Sequence, residues 1–342
     1  MTEMKLSDFD YYLPQELIAQ EPLARRDHSR MLVLDRRKAA QEHSYFYRLP
    51  ENLNPGDLLV LNNTRVIPAR LVGQRAEGGE AELLLLHRHD RDRWTAMVRP
   101  GRKLKPGAVV YFKYGLEAVI EDYAAEGQRL VRFRGPESTE LLLQRNGQVP
   151  LPPYITAPLR DPEHYQTIYA SIEGSAAAPT AGFHFTEEVF DHLSKKGINW
   201  SFITLHIGPG TFQPVKVEDI RQHRMHREFY RIDEETARQI NESRRRGGRV
   251  VAVGTTACRV LETAASSDGV VQPQEGWTEL FIYPGYRFRA VDALLTNFHL
   301  PRSTLLMLVS ALAGRTRILE AYREAVEQRY RFYSFGDCML IL

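Results

Sequence analysis

The feature that most constrains the fold is a series of short alternating segments between Val66 and Val149. They read RLVGQ, EAELLLLHR, WTAMVRP, AVVYFKY, LEAVIEDY and RLVRFRG, and glycine, proline and charged turns separate them. Brief strands with so little helical pattern are typical of a small antiparallel barrel or sandwich. STELLLQRNG follows with the spacing of one short helix, and LPPYI from Leu151 indicates an extended linker.

Strands that alternate with helices flank this β region on both sides. Apolar runs such as Met31–Asp35 and Gly56–Asn62 predict buried strands, and LFIYPGYRF from Leu280 predicts another. The sequence therefore predicts an α/β fold with a layered main domain and an inserted small antiparallel β-barrel domain. The predicted main domain comprises residues 1–65 and 150–342, and the predicted inserted domain comprises residues 66–149.

Composition excludes several classes of protein. The 342 residues carry a formal net charge of +2, so a nucleic-acid surface would have to be a local patch. Cys258 and Cys338 match no paired metal-ligand spacing and indicate two structural thiols in a reducing compartment. The longest apolar stretch, Leu305–Ala313, is far shorter than the roughly 20 residues of a membrane span, and no apolar leader opens the chain. We expect a cytoplasmic protein with no membrane partner.

A loop, helix, strand and loop between Ala176 and Phe212 contain the most informative histidines. The sequence AAAPTAGFHF precedes Thr186, which is a candidate helix cap, and the strand predicted at Ile198–Ile207 leads to GPGTF. Small residues let the backbone approach a ligand closely. His184 and His206 are therefore candidate acid–base groups beside a cleft, and hydrogen-bonded core histidines are the alternative.

Two further strand ends predict ligand contacts. The strand GDLLVLN ends in Asn62, Asn63, Thr64 and Arg65, and open α/β sheets bind ligands at such ends. RVVAVGTTACRVLE predicts a strand, a turn and a helix, whose free backbone N–H groups suit a nucleoside or a carboxylate. The segment lacks GxGxxG, so it does not indicate a dinucleotide site.

The segment EDIRQHRMHREFYRI is basic and contains His223 and His226. A zinc site needs further ligands at recognisable spacing, and no third or fourth ligand is in register, so we expect no metal. An RNA-binding surface or an ordinary exposed segment fits the segment better.

Several segments together resemble one family. LNNTRVIPARL, AAPTAGFHFT, TLHIGPGTFQPV, HRMHRE, AVGTTACRVLE, TNFHLPRSTLLMLVSALAG and YRFYSFGD are similar, in this order, to segments of the S-adenosylmethionine:tRNA ribosyltransferase-isomerases of queuosine biosynthesis. The similarity covers nearly the whole chain. Phe183 stands where the family is expected to have leucine, which changes packing and removes no polar group.

The resemblance implies a reaction and its partners. The ribosyl group of S-adenosylmethionine would be transferred and isomerised onto 7-aminomethyl-7-deazaguanine at the wobble position of a tRNA with a GUN anticodon. The products would be epoxyqueuosine-tRNA, adenine and methionine, with S-adenosylmethionine as co-substrate, no metal, and a monomeric enzyme. Two alternatives stay open at this point, a non-catalytic RNA-binding or assembly factor and a hydrolase that acts through a histidine pair or a bound metal.

The resemblance also implies roles for particular residues. The catalytic base would be His184 or His206, and Asp337 would be a catalytic carboxylate. The residues predicted to hold S-adenosylmethionine are Thr180, Ala181, Gly182, Gly254, Thr255, Thr256 and His299. Candidate aromatic contacts to the sulfonium are Phe185, Phe212 and Tyr283. Candidate contacts to RNA are Arg65, Arg99, Arg224, Arg227 and Arg259.

Overall fold

The chain forms two compact units. The computed structural model describes residues 4–38, 40–159, 161–208 and 215–342. One unit comprises residues 1–65, 153–172 and 178–342, and the other comprises residues 66–152 and 173–177.

The strands and helices are numbered in chain order. The strands are β1 (Arg30–Leu34), β2 (Glu42–Tyr45), β3 (Leu58–Asn62), β4 (Thr64–Val66), β5 (Arg70–Arg75), β6 (Glu80–Arg88), β7 (Arg93–Arg99), β8 (Val109–Tyr111), β9 (Glu117–Tyr123), β10 (Arg129–Arg134), β11 (Ile172–Ser175), β12 (Asn199–Leu205), β13 (Glu228–Ile232), β14 (Val250–Val253), β15 (Gln274–Thr278), β16 (Ala293–Asn297) and β17 (Cys338–Ile341). The helices are α1 (Thr139–Asn146), α2 (Glu187–Lys195), α3 (Glu234–Arg245), α4 (Gly254–Ala264), α5 (Thr304–Ala313) and α6 (Arg315–Glu327).

A nine-stranded mixed sheet organises the larger unit. Its strand order is β15-β13-β12-β3-β14-β16-β17-β1-β2. The neighbours β12, β3, β14 and β16 are mutually parallel, so their carboxyl ends meet at one edge. The three inner strands β3, β14 and β16 are mostly apolar and wholly buried because helices cover the sheet, as in other layered α/β domains.

The smaller unit contains a closed antiparallel barrel with the strand order β10-β7-β6-β5-β8-β9. Alternate residues of β6, namely Ala81, Leu83 and Leu85, are buried in its core, as the period of a strand requires. The six short segments of the sequence are these six strands. The predicted fold class, a layered α/β main domain with an inserted small antiparallel barrel, is confirmed.

The residues that predicted α2 in the sequence also mark its two ends in the structure. The hydroxyl of Thr186 accepts a hydrogen bond from Val189 N at 3.3 Å and so caps α2. Gly197 follows the helix with φ +72°, a conformation that glycine adopts without strain.

Both Cys258 and Cys338 are buried free thiols. Of the helices described, none combines the length and the apolar character that a membrane crossing requires.

One predicted strand is wrong. LFIYPGYRF is irregular chain that turns at Pro284 and Gly285, because proline has no N–H to give to a ladder. The strand of this region is β15 instead, with the sequence QEGWT, which pairs with β13 along its whole length. β15 is an edge strand, so it forms ladder hydrogen bonds with one neighbour only and tolerates glycine and glutamate. Because these residues are uncommon in strands, the sequence pattern did not predict it.

Candidate active site

The carboxyl ends of four adjacent parallel strands carry the polar residues that the sequence singled out. His206 follows β12, Asn62 ends β3, Gly254 follows β14 and Asn297 ends β16. Because these strands are neighbours in the order β12-β3-β14-β16, the four positions lie along one edge of the sheet. This edge is where open α/β sheets bind ligands.

His206 is held through one ring nitrogen. Its Nδ1 lies 2.8 Å from the hydroxyl oxygen of Thr64, and that hydroxyl donates to the carbonyl of Ile172 at 3.4 Å. A Thr64 hydroxyl that donates to Ile172 accepts from Nδ1–H and leaves the lone pair on Nε2, whereas a hydroxyl that donates to Nδ1 leaves the ring proton on Nε2. Among the described residues Nε2 has no hydrogen-bond partner. Burial lowers the pKa of His206, so its ring is neutral at pH 7.

Hydrogen bonds connect His206 to the start of α4. The backbone N–H of Thr64 donates to the side-chain oxygen of Asn62 at 3.2 Å, and the amide nitrogen of Asn62 lies 3.4 Å from the hydroxyl of Thr256. Asn62 also exchanges two hydrogen bonds of 3.0 Å with the backbone of Leu205. The strand ends therefore form one connected polar network rather than separate sites.

The start of α4 adjoins the turn Thr180–Gly182. Gly254 has φ +87°, which favours glycine, and no side chain caps the helix, so its first N–H groups are available to a ligand. A Cβ on Gly254 would lie 3.6 Å from the Cβ of Ala181. Thr255 is buried in the first turn of α4.

Close packing requires the glycine at position 182. A Cβ there would lie 2.0 Å from the hydroxyl of Tyr169 and 2.7 Å from the Cγ2 of Thr167. The Thr167 hydroxyl is buried and has no hydrogen-bond partner among the described residues.

His184 is held through both ring nitrogens. Nδ1 lies 2.7 Å from the hydroxyl of Ser29, and Nε2 lies 3.2 Å from Oδ1 of Asn297. The amide nitrogen of Asn297 donates to the carbonyls of Tyr333 and Ser334, which fixes its orientation. Nε2–H therefore donates to Asn297, and Nδ1 accepts from Ser29. Burial lowers the pKa of His184 to about 4.

His299 and Asp337 are buried in structural settings. Nε2 of His299 lies 2.9 Å from the hydroxyl of Thr296, and burial lowers its pKa to about 3. The Asp337 carboxylate accepts backbone N–H bonds of 2.8 Å from Arg30 and Arg331. Burial raises the pKa of Asp337 in spite of these bonds. The Asp337 side chain therefore ties β1 to the segment before β17, whereas the His299 side chain bonds within its own turn.

The five arginines predicted to contact RNA differ in exposure. Arg259 is 4% exposed and forms an ion pair with the buried Glu228, so it lacks the solvent access that a phosphate contact needs. Arg227 is exposed and lies 3.0 Å from Glu279. Arg65 is paired with Glu163, and the exposed members with no such ion pair among the described residues are Arg99 and Arg224.

The aromatic candidates also lie apart. Phe185 is fully buried against Phe46, with ring centroids 5.0 Å apart, and belongs to the core. Tyr283 is partly buried beside Phe281. Phe212 lies outside the described residues.

The His223 and His226 pair lies on the segment that leads into β13. His223 packs edge-on against Phe281, with ring centroids 5.3 Å apart. Within the part of the chain that the structure describes, no group of three or more His, Cys, Asp and Glu side chains is placed to hold a metal ion.

A groove opens beside His206. Its volume is about 550 Å³, which is within the range of small-molecule sites. It is lined by side chains from β12, β13, β15 and the first turns of α3, including Thr204, Phe229, Arg231 and Thr236. His206 therefore faces the hydrogen-bond network on one side and an open groove on the other.

Some residues of the site escaped the sequence. Ser29 and Thr167 come from segments with no motif, and only the fold brings them to His184 and Gly182. Phe229 lies in β13, within the basic segment for which the sequence indicated an RNA-binding surface or an ordinary exposed segment. No local signal marks these residues, because each acts through a partner far away in the chain.

Comparisons with known proteins identify the family of the chain. The profile of the family described as "Queuosine biosynthesis protein" matches residues 6–341. A protein of Symbiobacterium thermophilum named S-adenosylmethionine:tRNA ribosyltransferase-isomerase is 59% identical over 99% of this chain and 100% of its own. A protein of Acetivibrio thermocellus with the same name is 56% identical over the same shares of the two chains.

A solved structure is similar along the same length. The crystal structure of S-adenosylmethionine tRNA ribosyltransferase from Thermotoga maritima is 42% identical, covers 98% of this chain and 100% of its own, and superposes with a TM-score of 0.56. A family profile and relatives of this identity over nearly the whole length identify the family. The chain belongs to the queuosine biosynthesis protein family.

Proposed function

We propose that this protein transfers and isomerises the ribosyl group of S-adenosylmethionine onto 7-aminomethyl-7-deazaguanine at the wobble position of tRNA. The products are epoxyqueuosine-tRNA, adenine and methionine, and the substrate tRNA has a GUN anticodon. The relatives are named for this transfer. The observation that carries the proposal is the setting of His206. Its Nε2 has no hydrogen-bond partner among the described residues, the residue lines a groove, and its hydrogen-bond network leads to the start of α4, which no side chain caps.

His206 is the catalytic base in this proposal. A proton on the ribosyl C5′ is acidified by the adjacent sulfonium, and a base must remove it before adenine leaves. The proposal places the ring proton of His206 on Nδ1 and the lone pair on Nε2; His206 lines the groove, and its pKa, lowered by burial, keeps the ring neutral near pH 7. His184 has neither nitrogen free, so it positions the turn that precedes α2.

The start of α4 and the turn Thr180–Gly182 hold S-adenosylmethionine. The free N–H groups of α4 suit its carboxylate or ribose oxygens, and the hydroxyls of Thr255 and Thr256 add donors. Gly182 allows the turn to pack closely against Tyr169 and the methyl group of Thr167. The network from Thr256 through Asn62 and Thr64 then connects the bound ribosyl group to His206.

The groove beside His206 receives the base that accepts the ribosyl group. A wobble base lies in a single-stranded loop, so it can be splayed into a pocket at modest cost. The volume of about 550 Å³ is sufficient for a nucleoside, and its lining offers both aromatic and polar groups. We further propose a monomeric enzyme that needs no metal.

The test is incubation of the protein with S-adenosylmethionine and an anticodon stem-loop that carries 7-aminomethyl-7-deazaguanine. We expect a ribosyl-derived mass gain on the RNA and one adenine per modified RNA, measured by mass spectrometry and chromatography. A stem-loop with unmodified guanine is the control and should gain no mass. Binding of RNA without adenine release would support a binding factor, and adenine release without RNA modification would support a hydrolase.

A further inference from the structure

Three aromatic rings lie in one row across the edge of the main sheet. The backbone N–H of His206 donates to the carbonyl of Phe229 at 2.9 Å, and Phe229 is the register partner of Trp277 on β15. The ring centroids of His206 and Phe229 are 5.8 Å apart, and those of Phe229 and Trp277 are 5.9 Å apart. Register partners face the same side of a sheet, so the row is a property of the pairing and not of chance side-chain placement.

The outer end of this row is exposed and basic. Trp277 has 48% of its surface exposed, which is unusual for the largest apolar side chain. The guanidinium of Arg227 lies 5.8 Å from its ring centroid. The next row on the same face holds Thr204, Arg231 and Glu275, which line the groove beside His206.

We propose that the exposed ring of Trp277, which meets Phe229 edge to face with ring planes 75° apart, is a stacking site for the unpaired base next to the reacting nucleotide in the RNA loop. The inference rests on the proposed function, and it assigns RNA contacts that the transfer reaction by itself does not. Two strand spacings, about 10 Å, separate His206 from Trp277. A base at His206 and a base at Trp277 therefore belong to different nucleotides.

The chemistry of the face favours RNA over a protein partner. Single-stranded RNA is bound by aromatic rings that stack on bases, together with arginines that meet phosphates. Arg227 and Arg231 flank the row and are exposed. The groove also carries Asp233, Glu235 and Glu275, and charges of this density are depleted from the core of protein interfaces but can donate to and accept from base edges.

The test compares Trp277→Ala with Trp277→Phe in steady-state assays of the stem-loop and S-adenosylmethionine. We expect Trp277→Ala to raise the KM for the stem-loop by about tenfold, since base–aromatic stacking has an energy of this order. The KM for S-adenosylmethionine should stay within twofold, and Trp277→Phe should keep most of the wild-type value. Tyr12→Ala is the matched control, because Tyr12 is 81% exposed and lies outside the row.

Abasic stem-loops separate stacking from a structural effect. One RNA lacks the base on the 5′ side of the modified nucleotide and another lacks the base on the 3′ side. With one of them, wild type and Trp277→Ala should show the same KM, because the stacked base is already absent. Equal sensitivity to the variant with both abasic RNAs, or an unchanged KM with the complete RNA, would overturn the inference. Wild-type protein that transfers no ribosyl group would instead overturn the proposed function.

Discussion

His184 and His206 lie on the same edge of the main sheet, yet their surroundings are opposite. His184 is fully enclosed, and Ser29 and Asn297 occupy both of its nitrogens. His206 is partly exposed, and among the described residues the one hydrogen-bond partner of its ring is Thr64, at Nδ1. Burial lowers both pKa values, so both rings are neutral at pH 7. A neutral histidine is thus not sufficient for acid–base chemistry, since an open nitrogen that faces a groove is also required.

The comparison separates stability from catalysis. Hydrogen bonds on both sides of a buried ring stabilise a fold and leave no lone pair for a substrate. A ring bonded on one side is oriented by that bond and reactive through the other nitrogen. We therefore expect variants of the two histidines to affect different measurements.

The largest expected effect is on the rate of His206→Ala. Removal of a general base typically lowers kcat by about 10²- to 10⁴-fold, and we expect a loss in this range with little change in melting temperature. Thr64→Val, which removes the acceptor for Nδ1–H, should lower kcat less, because the ring is retained and only its orientation suffers. Adenine release measures both. An activity of His206→Ala within threefold of wild type would contradict the assignment of the base.

The second effect concerns the stability of His184→Ala. The change leaves the buried Ser29 and Asn297 groups without their partner and opens a cavity, which costs on the order of 3 kcal/mol of unfolding free energy. Urea unfolding measures it, and His192→Ala on the exposed face of α2 is the control, with an expected change within about 0.5 kcal/mol. Loss of activity in the folded His184→Ala protein equal to that of His206→Ala would erase the distinction between the two residues.

The third effect is the dependence of stability on pH. The pKa of His184 is about 4 in the folded chain and 6.5 in the reference state, so the unfolded chain binds a proton that the folded chain excludes. The free energy of unfolding therefore falls as the pH drops from about 6.5 to 4, by on the order of 3 kcal/mol from this residue. In His184→Gln the unfolding free energy should depend less steeply on pH over this interval, with a decrease in slope that corresponds to at most one bound proton. Identical slopes in urea titrations of both proteins would refute this role.

Much of the fold was predictable because its signals are local. The six barrel strands alternate with period two, and α2 and α4 follow apolar strands with caps or turns. The strand predicted at Leu280 was wrong, and β13 and β15 were missed. β13 and β15 pair with each other, and the sequence QEGWT contains no local pattern that predicts a strand.

The candidate site, like the fold, has some features that the sequence predicted and others that it did not. Sequence patterns predicted that Thr64 lies in a polar loop after one strand and that Gly254 follows another, and the rule for open α/β sheets predicted ligand contacts there. Gly254 does follow β14, whereas Thr64 begins the short strand β4. They did not predict that Arg259 is buried against Glu228, because an arginine's exposure depends on what packs over it. Nor did they predict that Tyr169 and the methyl group of Thr167 pack against Gly182, which depends on a close approach of two loops.

The sequence by itself determined the family, the alternation of strands and helices, and the set of histidines from which a base could be chosen, because these depend on residue identity and short-range periodicity. The tertiary structure decided which histidine has a free nitrogen, which arginine is buried, and which rings align across β12, β13 and β15. Hydrogen-bond saturation, burial and register are relations between residues that lie far apart in the chain. They take their values only when the chain is folded.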